Sequence, residues 1–340
     1  MYSFRNDYSE GAHPKVLQAL IDTNLEQTCG YGLDPFCHDA AELIRSLCAC
    51  PEADVHFLVG GTQTNTVVLD ALLASYESVI AAHTGHINVH ETGAIEATGH
   101  KVCTVFSPDG KLTPALVDTV VKGHSSEHMV LPRLVYISDT TEIGTIYTKA
   151  ELTALRQCCD KHGLFLFLDG ARLGSALTSP ENDLTLADLA ALTDAFYIGG
   201  TKNGAFFGEA LVMTTKNEHF RWHIKQRGAM LAKGRLLGIQ FQALLENGLY
   251  FEIARHANEM AYRLRDGIAA LGYPFPVPSP SNQQFPVLPN TVVQQLQDMG
   301  YEFEIDHAED EAHTCVRFVT SWATPEAAVD AFLKDLADCK

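Results

Sequence analysis

Short apolar runs alternate with longer amphipathic stretches along the first 250 residues of the chain. Apolar runs of about five residues between turn residues are typical of buried strands, and apolar positions at helical spacing are typical of packed helices. This alternation predicts an α/β fold with a mainly parallel sheet and flanking helices. The predicted strands are 55–59, 78–82, 101–106, 134–138, 164–168, 195–198 and 210–214, and the predicted helices include 65–75, 148–162 and 237–247.

The pattern changes beyond residue 250. A charged amphipathic helix is predicted over 251–271, and a proline-rich connection follows at 272–280. Proline lacks the backbone N–H that helices and central strands need, so this connection is expected to be irregular. Four further segments complete the chain, at 285–288, 292–299, 314–320 and 325–336. We therefore predict a large domain over 1–250, which includes an N-terminal arm over 1–45, and a small C-terminal α/β domain over 251–340.

Composition narrows the classes of protein to consider. The 340 residues carry 42 acidic and 24 basic side chains, a formal charge of -18, which disfavours nucleic acid or an anionic membrane as a partner. No apolar run is long enough to span a bilayer, and the first residues lack the apolar core of a secretion signal, so we expect a cytoplasmic protein. Nine cysteines without a CxxC motif indicate reduced thiols.

Two segments carry candidate chemistry. Lys202 lies in a glycine-rich turn directly after the strand 195–198, and Asp169 ends the apolar run 164–168, three residues before Arg172. Pyridoxal phosphate needs an amine with which to form a Schiff base and a carboxylate that keeps its ring nitrogen protonated. The two segments therefore predict that cofactor. The alternatives are a solvated loop lysine and a carboxylate that caps a turn.

The phosphate of such a cofactor needs its own binding site. Gly61, Thr62 and Gln63 follow the predicted strand 55–59 and open a helix. Backbone N–H groups and the helix dipole attract an anion at such a position, so we predict that these residues bind the phosphate. The alternative is a glycine turn with a threonine helix cap.

His86 follows the strand 78–82, where its imidazole could stack on the pyridine ring of the cofactor. Four histidines lie between His83 and His100, and a metal cluster is the alternative interpretation of this segment. Their spacing lacks a recognisable set of cysteine or carboxylate ligands. We therefore predict no metal.

A series of short segments in a fixed order resembles one known family. Over nearly its whole length, the chain is similar to the threonine aldolase and β-eliminating lyase group of fold-type I pyridoxal-phosphate enzymes. The matching segments are 5–7, 31–35, 61–65, 86–93, 169–172, 199–204, 221–222 and 316–320.

The resemblance implies a lyase that cleaves a β-hydroxy-α-amino acid into glycine and an aldehyde. It also implies a role for each matching residue. Lys202 would bind the cofactor covalently, and Asp169 would pair with its ring nitrogen. Arg172 would lie near the ring oxygen of the cofactor, and His86 would stack on the ring. Arg317 would bind the substrate carboxylate, and Tyr31 would come from the neighbouring subunit of a homodimer or homotetramer. For Arg317 the alternative is an ion pair with the acidic stretch 306–311.

Two residues depart from the family pattern. Asn6, expected at the substrate, stands where the family usually has serine. Glu142 stands where the family has a histidine that contacts the substrate's β-hydroxyl group together with His86. A carboxylate of raised pKa can act as a general base, so Glu142 is a candidate catalytic residue. Equally, it could exclude threonine and favour another small amino acid.

Two other functions stay open at this point. One is β-elimination of the tryptophanase or tyrosine phenol-lyase type, which releases ammonia and pyruvate in place of glycine and aldehyde. The other is a binding protein that kept the fold without the cofactor.

Overall fold

A computed structural model describes residues 2–339 and shows a seven-stranded sheet with helices on both faces. Its spatial order is β1-β7-β6-β5-β4-β2-β3. The strands are β1 (Asp54–Leu58), β2 (Glu77–Ala82), β3 (Lys101–Val105), β4 (Leu131–Ser138), β5 (Phe165–Asp169), β6 (Ala195–Gly199) and β7 (Glu209–Met213). Strand β7 pairs antiparallel with both β1 and β6, whereas the other pairs are parallel. Six strands therefore share one direction and β7 opposes them.

The helices of the described residues cover both faces of this sheet and the C-terminal part of the chain. They are α1 (Pro14–Asp22), α2 (Pro35–Leu47), α3 (Gly61–Leu72), α4 (His86–Val89), α5 (Pro114–Gly123), α6 (Lys149–His162), α7 (Leu173–Thr178), α8 (Leu186–Leu192), α9 (Phe220–Gln226), α10 (Arg235–Leu245), α11 (Leu249–Ala270), α12 (Asn290–Asp298) and α13 (Glu326–Asp338). Across residues 2–339, none of them combines the length and the apolar character needed to cross a membrane.

The core of the large sheet consists of two apolar layers, one on each face. Successive strand residues point to opposite faces, so neighbours in sequence join different layers. On β6, Phe196 packs in one apolar cluster and Tyr197 in the other. All five residues of β6 and all five of β7 are buried. These central strands therefore read as continuous apolar runs, as expected for strands covered on both faces.

A smaller antiparallel sheet follows in the C-terminal part. Strand β11 (His313–Val319) pairs with β10 (Glu304–Ala308), β8 (Gln283–Gln284) and β9 (Val287–Pro289). Phe4 packs edge-on against Phe318 and Phe332 in the core of this part. Its backbone also bonds to the carbonyl of Glu302, so the N-terminal residues dock on the C-terminal sheet.

The predicted fold class is confirmed, because the sheet is mostly parallel and the predicted strands all form. Three differences have physical reasons. The last predicted strand of the large sheet runs antiparallel, which burial patterns alone do not reveal. Helix α3 begins at Gly61, four residues earlier than predicted, because glycine is tolerated at a helix start. Strand β10 was not predicted, since it is a mostly exposed edge strand with polar residues.

The ends of β5 and β6 approach each other too closely for side chains. The Gly199 N–H donates a hydrogen bond of 3.0 Å to the Gly170 carbonyl oxygen. A Cβ atom on Gly170 would lie 1.8 Å from the Tyr197 carbonyl oxygen, and one on Gly199 would lie 2.5 Å from the Ala171 carbonyl oxygen. These glycines therefore fix the distance between the segments that carry Asp169 and Lys202.

Replacing Gly170 with alanine is expected to lower the free energy of unfolding by about 3 kcal/mol, because backbone must move to relieve the clash. The control is Gly123→Ala, since a Cβ atom at Gly123 meets nothing within 4 Å. That control should leave stability unchanged or raise it by up to ~1 kcal/mol. Urea unfolding followed by circular dichroism measures both. Equal effects of the two substitutions would contradict the argument.

Candidate active site

A cavity of about 310 Å³ lies at the carboxyl edge of the large sheet. Ligands of open α/β sheets bind at this edge, in the crevice beyond the strand ends. The loops after β2, β4, β5 and β6 and the start of α3 surround it. Seven of the predicted site residues line it, namely Gly61, Thr62, His86, Glu142, Asp169, Arg172 and Lys202.

Lys202 extends into this cavity from the turn after β6. Among residues 2–339, its amine has no hydrogen-bond or ion-pair partner, and Nζ lies over the Tyr8 ring at 6.0 Å from the ring centroid. Burial and the nearby Arg172 guanidinium lower the pKa of the Lys202 amine, although Asp7, Asp169 and Glu209 act in the opposite direction. An amine of lowered pKa is more often neutral and so more nucleophilic. Lys202 is therefore not the solvated loop lysine of the alternative interpretation.

Asp169 is a buried carboxylate with four hydrogen-bond donors. Tyr136 Oη donates to Oδ2 at 2.6 Å, and the Asn65 amide donates to the same oxygen at 3.1 Å. Tyr197 Oη and the Ala171 N–H donate to Oδ1. Burial acts to raise the pKa of Asp169, but His86 and these hydrogen bonds outweigh it and lower the pKa. The cavity thus contains a fixed negative charge.

A second acid, Glu91, links this hydrogen-bond network to His86. Asn65 Nδ2 also donates to Glu91 Oε1 at 2.7 Å, and the same oxygen lies 2.7 Å from His86 Nδ1. Burial alone would lower the pKa of His86, yet Glu91 and Asp169 raise it above its usual value. The network therefore fixes the ring orientation of His86 and favours its protonated form.

Glu142 borders the same cavity beside His86. Its Oε1 accepts hydrogen bonds from Ser138 Oγ at 2.7 Å and from the His86 N–H at 2.9 Å. Burial raises the pKa of Glu142, and the Ser138 hydrogen bond only partly offsets this. One carboxylate oxygen is thus held in place, and within the described part of the chain Oε2 has no hydrogen-bond partner.

The start of α3 presents free backbone donors. Within residues 2–339, the N–H groups of Gly61, Thr62 and Gln63 have no acceptor, as expected for a first helical turn. The Gln63 side chain does not line the cavity, because its Oε1 accepts a hydrogen bond from the Val59 N–H at 3.2 Å. It therefore holds the turn that precedes the helix.

Arg172 lines the cavity, but its guanidinium is already paired. Its Nε and Nη2 donate to the two oxygens of Asp7 at 2.8 and 3.1 Å. Asn282 donates to Asp7 as well, at 2.9 Å. Asp7 thus joins the N-terminal arm to the large sheet and to the C-terminal part at the cavity wall.

Arg317 lies on β11 opposite Glu304. Within residues 2–339 its side chain makes no hydrogen bond or ion pair, and its buried Nε is unpartnered. Burial and Arg172 lower the pKa of Arg317, despite Asp7 and Glu304. The alternative interpretation, a pair with the acidic stretch 306–311, is therefore absent from the described residues.

None of the three predicted substrate residues, Asn6, Tyr31 and Arg317, lines the cavity. The Asn6 side chain closes a local turn, in which its Oδ1 accepts hydrogen bonds from the Tyr8 N–H and Ser9 Oγ, both at 3.0 Å. Tyr31 lies half-exposed at a separate cavity of about 330 Å³, where its carbonyl accepts a hydrogen bond from Arg221. Asn6 and Tyr31 stay predictions for the assembled protein.

Glu209, the first residue of β7, was not predicted to belong to the site. It is 3% exposed and faces both Leu58 of β1 and Gly199 of β6. Its carboxylate accepts hydrogen bonds from the Gly200 N–H at 3.1 Å and Thr201 Oγ1 at 2.9 Å. Burial raises the pKa of Glu209 to about 8, although the Thr201 hydrogen bond and Lys202 lower it. Glu209 therefore supports the turn that carries Lys202.

Comparison with known proteins shows which family the chain belongs to. The sequence profile of the β-eliminating lyase family matches residues 4–290. The chain belongs to the β-eliminating lyase family. Its predicted membership and its predicted lyase class are thus confirmed.

Several individual proteins resemble this family member along their whole length. A low specificity L-threonine aldolase from Pseudomonas sp. (strain NCIMB 10558) is 33% identical and covers 98% of this chain and 96% of that protein. A structure of Leishmania major threonine aldolase is 51% identical, with a TM-score of 0.98 and coverage of 99% of both chains. Aspartate aminotransferase from Thermus thermophilus, at 17% identity and a TM-score of 0.72 over 99% of this chain and 91% of that one, shares the fold.

Glu209 predicts a pH-dependent stability of this lyase. Its folded-state pKa of about 8 exceeds that of an unfolded glutamate, so the folded state binds an extra proton between about pH 4.5 and 8. The resulting stabilisation is full at low pH and is lost as the pH rises through 8. In Glu209→Gln this loss disappears, so the variant should gain stability relative to the unmodified protein as pH rises from about 5 to 9, by at least ~1 kcal/mol.

Thermal unfolding across that pH range measures the difference. The control is Glu246→Gln, since Glu246 is exposed at the end of α10. This control should differ from the unmodified protein by a constant amount at every pH. Parallel curves for Glu209→Gln would show that Glu209 is ionised in the folded protein throughout.

Proposed function

We propose that this protein is a pyridoxal-phosphate-dependent aldehyde lyase of the low-specificity L-threonine aldolase type. It would cleave a small β-hydroxy-α-amino acid into glycine and an aldehyde. The observation that carries the proposal is one cavity that combines the Lys202 amine of lowered pKa with the buried Asp169 anion. The 51% identity to a protein named threonine aldolase supports the reaction class.

The residues around the cavity fit pyridoxal phosphate. Lys202 offers the amine, and Asp169 offers an anion to a protonated ring nitrogen. The free N–H groups at the start of α3, from Gly61 to Gln63, suit the phosphate. His86 would stack on the ring, with Arg172 near the ring oxygen. When bound, the cofactor supplies an electron-accepting ring that stabilises negative charge at the substrate's Cα atom.

Arg317 would bind the substrate carboxylate. Its planar guanidinium can donate two parallel hydrogen bonds to a carboxylate, and no described acid competes for it. The nearby Arg172 already pairs with Asp7 through Nε and Nη2, whereas the Arg317 guanidinium has no such partner among residues 2–339. Holding the carboxylate orients the substrate, which places the Cα–Cβ bond for cleavage.

Glu142 would remove the proton of the substrate's β-hydroxyl group. Its raised pKa makes it a stronger base than an exposed glutamate, and Ser138 and the His86 N–H hold one oxygen in place. Protonated His86, fixed by Glu91, would donate a hydrogen bond to the same hydroxyl oxygen. As the aldehyde leaves, the Glu142 carboxyl retains the proton.

The assembly and cellular setting belong to the same proposal. We expect a homodimer or homotetramer in which Tyr31 of one subunit, and Asn6, contribute to substrate binding. The large domain would span 1–250 and the small domain 251–340. The cytoplasm is the expected compartment.

β-Elimination remains the second candidate, because the family profile carries that description and Glu142 replaces the histidine of threonine aldolases. The products distinguish the two reactions. Incubation with threonine, allo-threonine, phenylserine, serine and tryptophan should yield glycine and aldehyde from the β-hydroxy amino acids. Ammonia and pyruvate without glycine would refute the aldolase proposal.

Lys202→Ala is expected to abolish the visible absorption of bound pyridoxal phosphate, because no other amine lines the cavity described here. Absorption spectra of the purified variant, after incubation with the cofactor and gel filtration, measure this directly. The control is Lys216→Ala, since Lys216 is exposed and bonds to Asp54 and the Glu52 carbonyl. A colourless unmodified protein, or a Lys202→Ala variant with the same spectrum, would defeat the cofactor proposal.

Glu142→Gln is expected to lower kcat by ~10²- to 10⁴-fold, because glutamine cannot accept the hydroxyl proton. In the unmodified enzyme kcat/KM should rise as pH passes through the raised pKa of Glu142, since the base must be ionised, and this rise should be absent in the variant. Steady-state kinetics across pH measure both effects. Ser138→Ala, which removes only one hydrogen bond to Glu142, should cost less than tenfold. Activity of Glu142→Gln within twofold of the original would exclude Glu142 as the base.

A further inference from the structure

The hairpin of β10 and β11 brings together three side chains that can bind a metal ion. His307 lies directly opposite Cys315, and a bulge between Ile305 and His307 interrupts the register. A bulge places two residues of one strand against one residue of its partner. Asp306 occupies the bulge, so Asp306 and His307 both approach Cys315.

The donor atoms of these three residues lie within 4.8 Å of one another. They are a carboxylate oxygen, an imidazole nitrogen and a buried thiol, which are the three donor types that zinc binds in proteins. A thiolate together with an imidazole favours Zn²⁺ or Co²⁺ over Mg²⁺ and Ca²⁺, which prefer oxygen ligands.

The orientation of His307 also suits a ligand. Its Nδ1 lies 2.8 Å from Asp306 Oδ2, and its Nε2 lies 3.2 Å from Glu309 Oε2. A metal-binding histidine usually has a carboxylate or carbonyl on its second nitrogen, which holds the ring in place. Glu309 can hold the His307 ring through Nε2, while Asp306 and His307 bind the same ion.

The charge around the hairpin distinguishes it from a second cluster of the same composition. In the described chain, no lysine or arginine forms an ion pair with Asp306 or Glu309. At the other cluster, Asp118 already pairs with Lys122, Lys161 and His162 beside Cys158. Among the described residues, Asp306 and Glu309 pair with His307 alone, so the hairpin cluster retains more negative charge than the other cluster for a cation to neutralise.

A cavity of about 280 Å³ adjoins the hairpin and gives an ion access. Its wall also contains His83 and Thr84, just before His86 in sequence. His83 Nδ1 accepts a hydrogen bond from the Ser107 N–H, and the enclosed Thr84 Oγ1 has no partner within residues 2–339. Three protein ligands leave a fourth position of a tetrahedral ion for water or a side chain from this wall.

We propose that Asp306, His307 and Cys315 bind one Zn²⁺ ion, with Glu309 as a positioning residue for His307. The ion occupies the seam between the C-terminal sheet and the segment that leads into α4. This site is separate from the cofactor cavity, and its existence does not depend on the reaction proposed above.

Cobalt titration of the full-length holoenzyme, after removal of metals by a chelator and of any affinity tag, tests the proposal. Co²⁺ bound to a thiolate gives a sulfur-to-metal charge-transfer band, and Zn²⁺ should abolish that band by displacement. One equivalent should saturate it. Cys315→Ser should remove the band, and His307→Ala and Glu309→Gln should each weaken binding at least ~10-fold. Cys158→Ser, in the second cluster, should bind as the unmodified protein does.

A complementary measurement needs no variant. Zn²⁺ should slow alkylation of Cys315 at least ~10-fold, while exposed Cys29 reacts at an unchanged rate, as read from peptide masses. The proposal is overturned if the unmodified protein shows no thiolate band, if Cys315→Ser retains the band, or if Cys158→Ser loses it. Equal alkylation of Cys315 with and without Zn²⁺ would overturn it as well.

Discussion

The negative charge of Asp169, held out of water at the end of β5, is the constraint on which the rest of the site depends. An isolated buried carboxylate would be protonated or would destabilise the fold, so the protein must surround it with donors. Those donors come from β4, β6, α3 and the backbone of Ala171. Satisfying one anion therefore fixes the relative positions of two neighbouring strands and a helix, which are the elements that form the cavity.

Other charged groups around Asp169 are also paired with groups of opposite charge. Asp7 neutralises Arg172, and Glu91 supports His86, so most charged groups of the site have partners. Among the described residues, Lys202 and Arg317 have no such partner, and each has a lowered pKa, chiefly because of burial. Binding energy remains available at these two groups, because neither has to give up an internal partner to accept a ligand.

Local patterns in the sequence were sufficient for the seven strands of the large sheet and for Lys202 and Asp169, because both residues lie at the end of an apolar run, at the edge where loops converge. Glu142 was predicted only through the family resemblance. Tyr136 and Tyr197 were not predicted, since an aromatic residue in an apolar run is indistinguishable from an ordinary core residue. The Asp7–Arg172 pair joins residues 165 positions apart, and no local pattern encodes such a contact. Glu209 was not predicted, because its position at the cavity depends on the reversed direction of β7.

The reversed direction of β7 makes the active site sensitive to the length of the loop that precedes this strand. Parallel strands contribute their ends to the cavity, whereas β7 contributes its beginning. The short connection over 200–208, which contains Lys202, therefore returns to the same edge that it left. The far end of this tight loop is attached to Thr201 by two hydrogen bonds, one to the Glu209 carboxylate and one from the Gly208 N–H. An insertion or deletion in this connection would therefore displace the amine of Lys202. The longer loops elsewhere on this edge can vary in length without moving that amine.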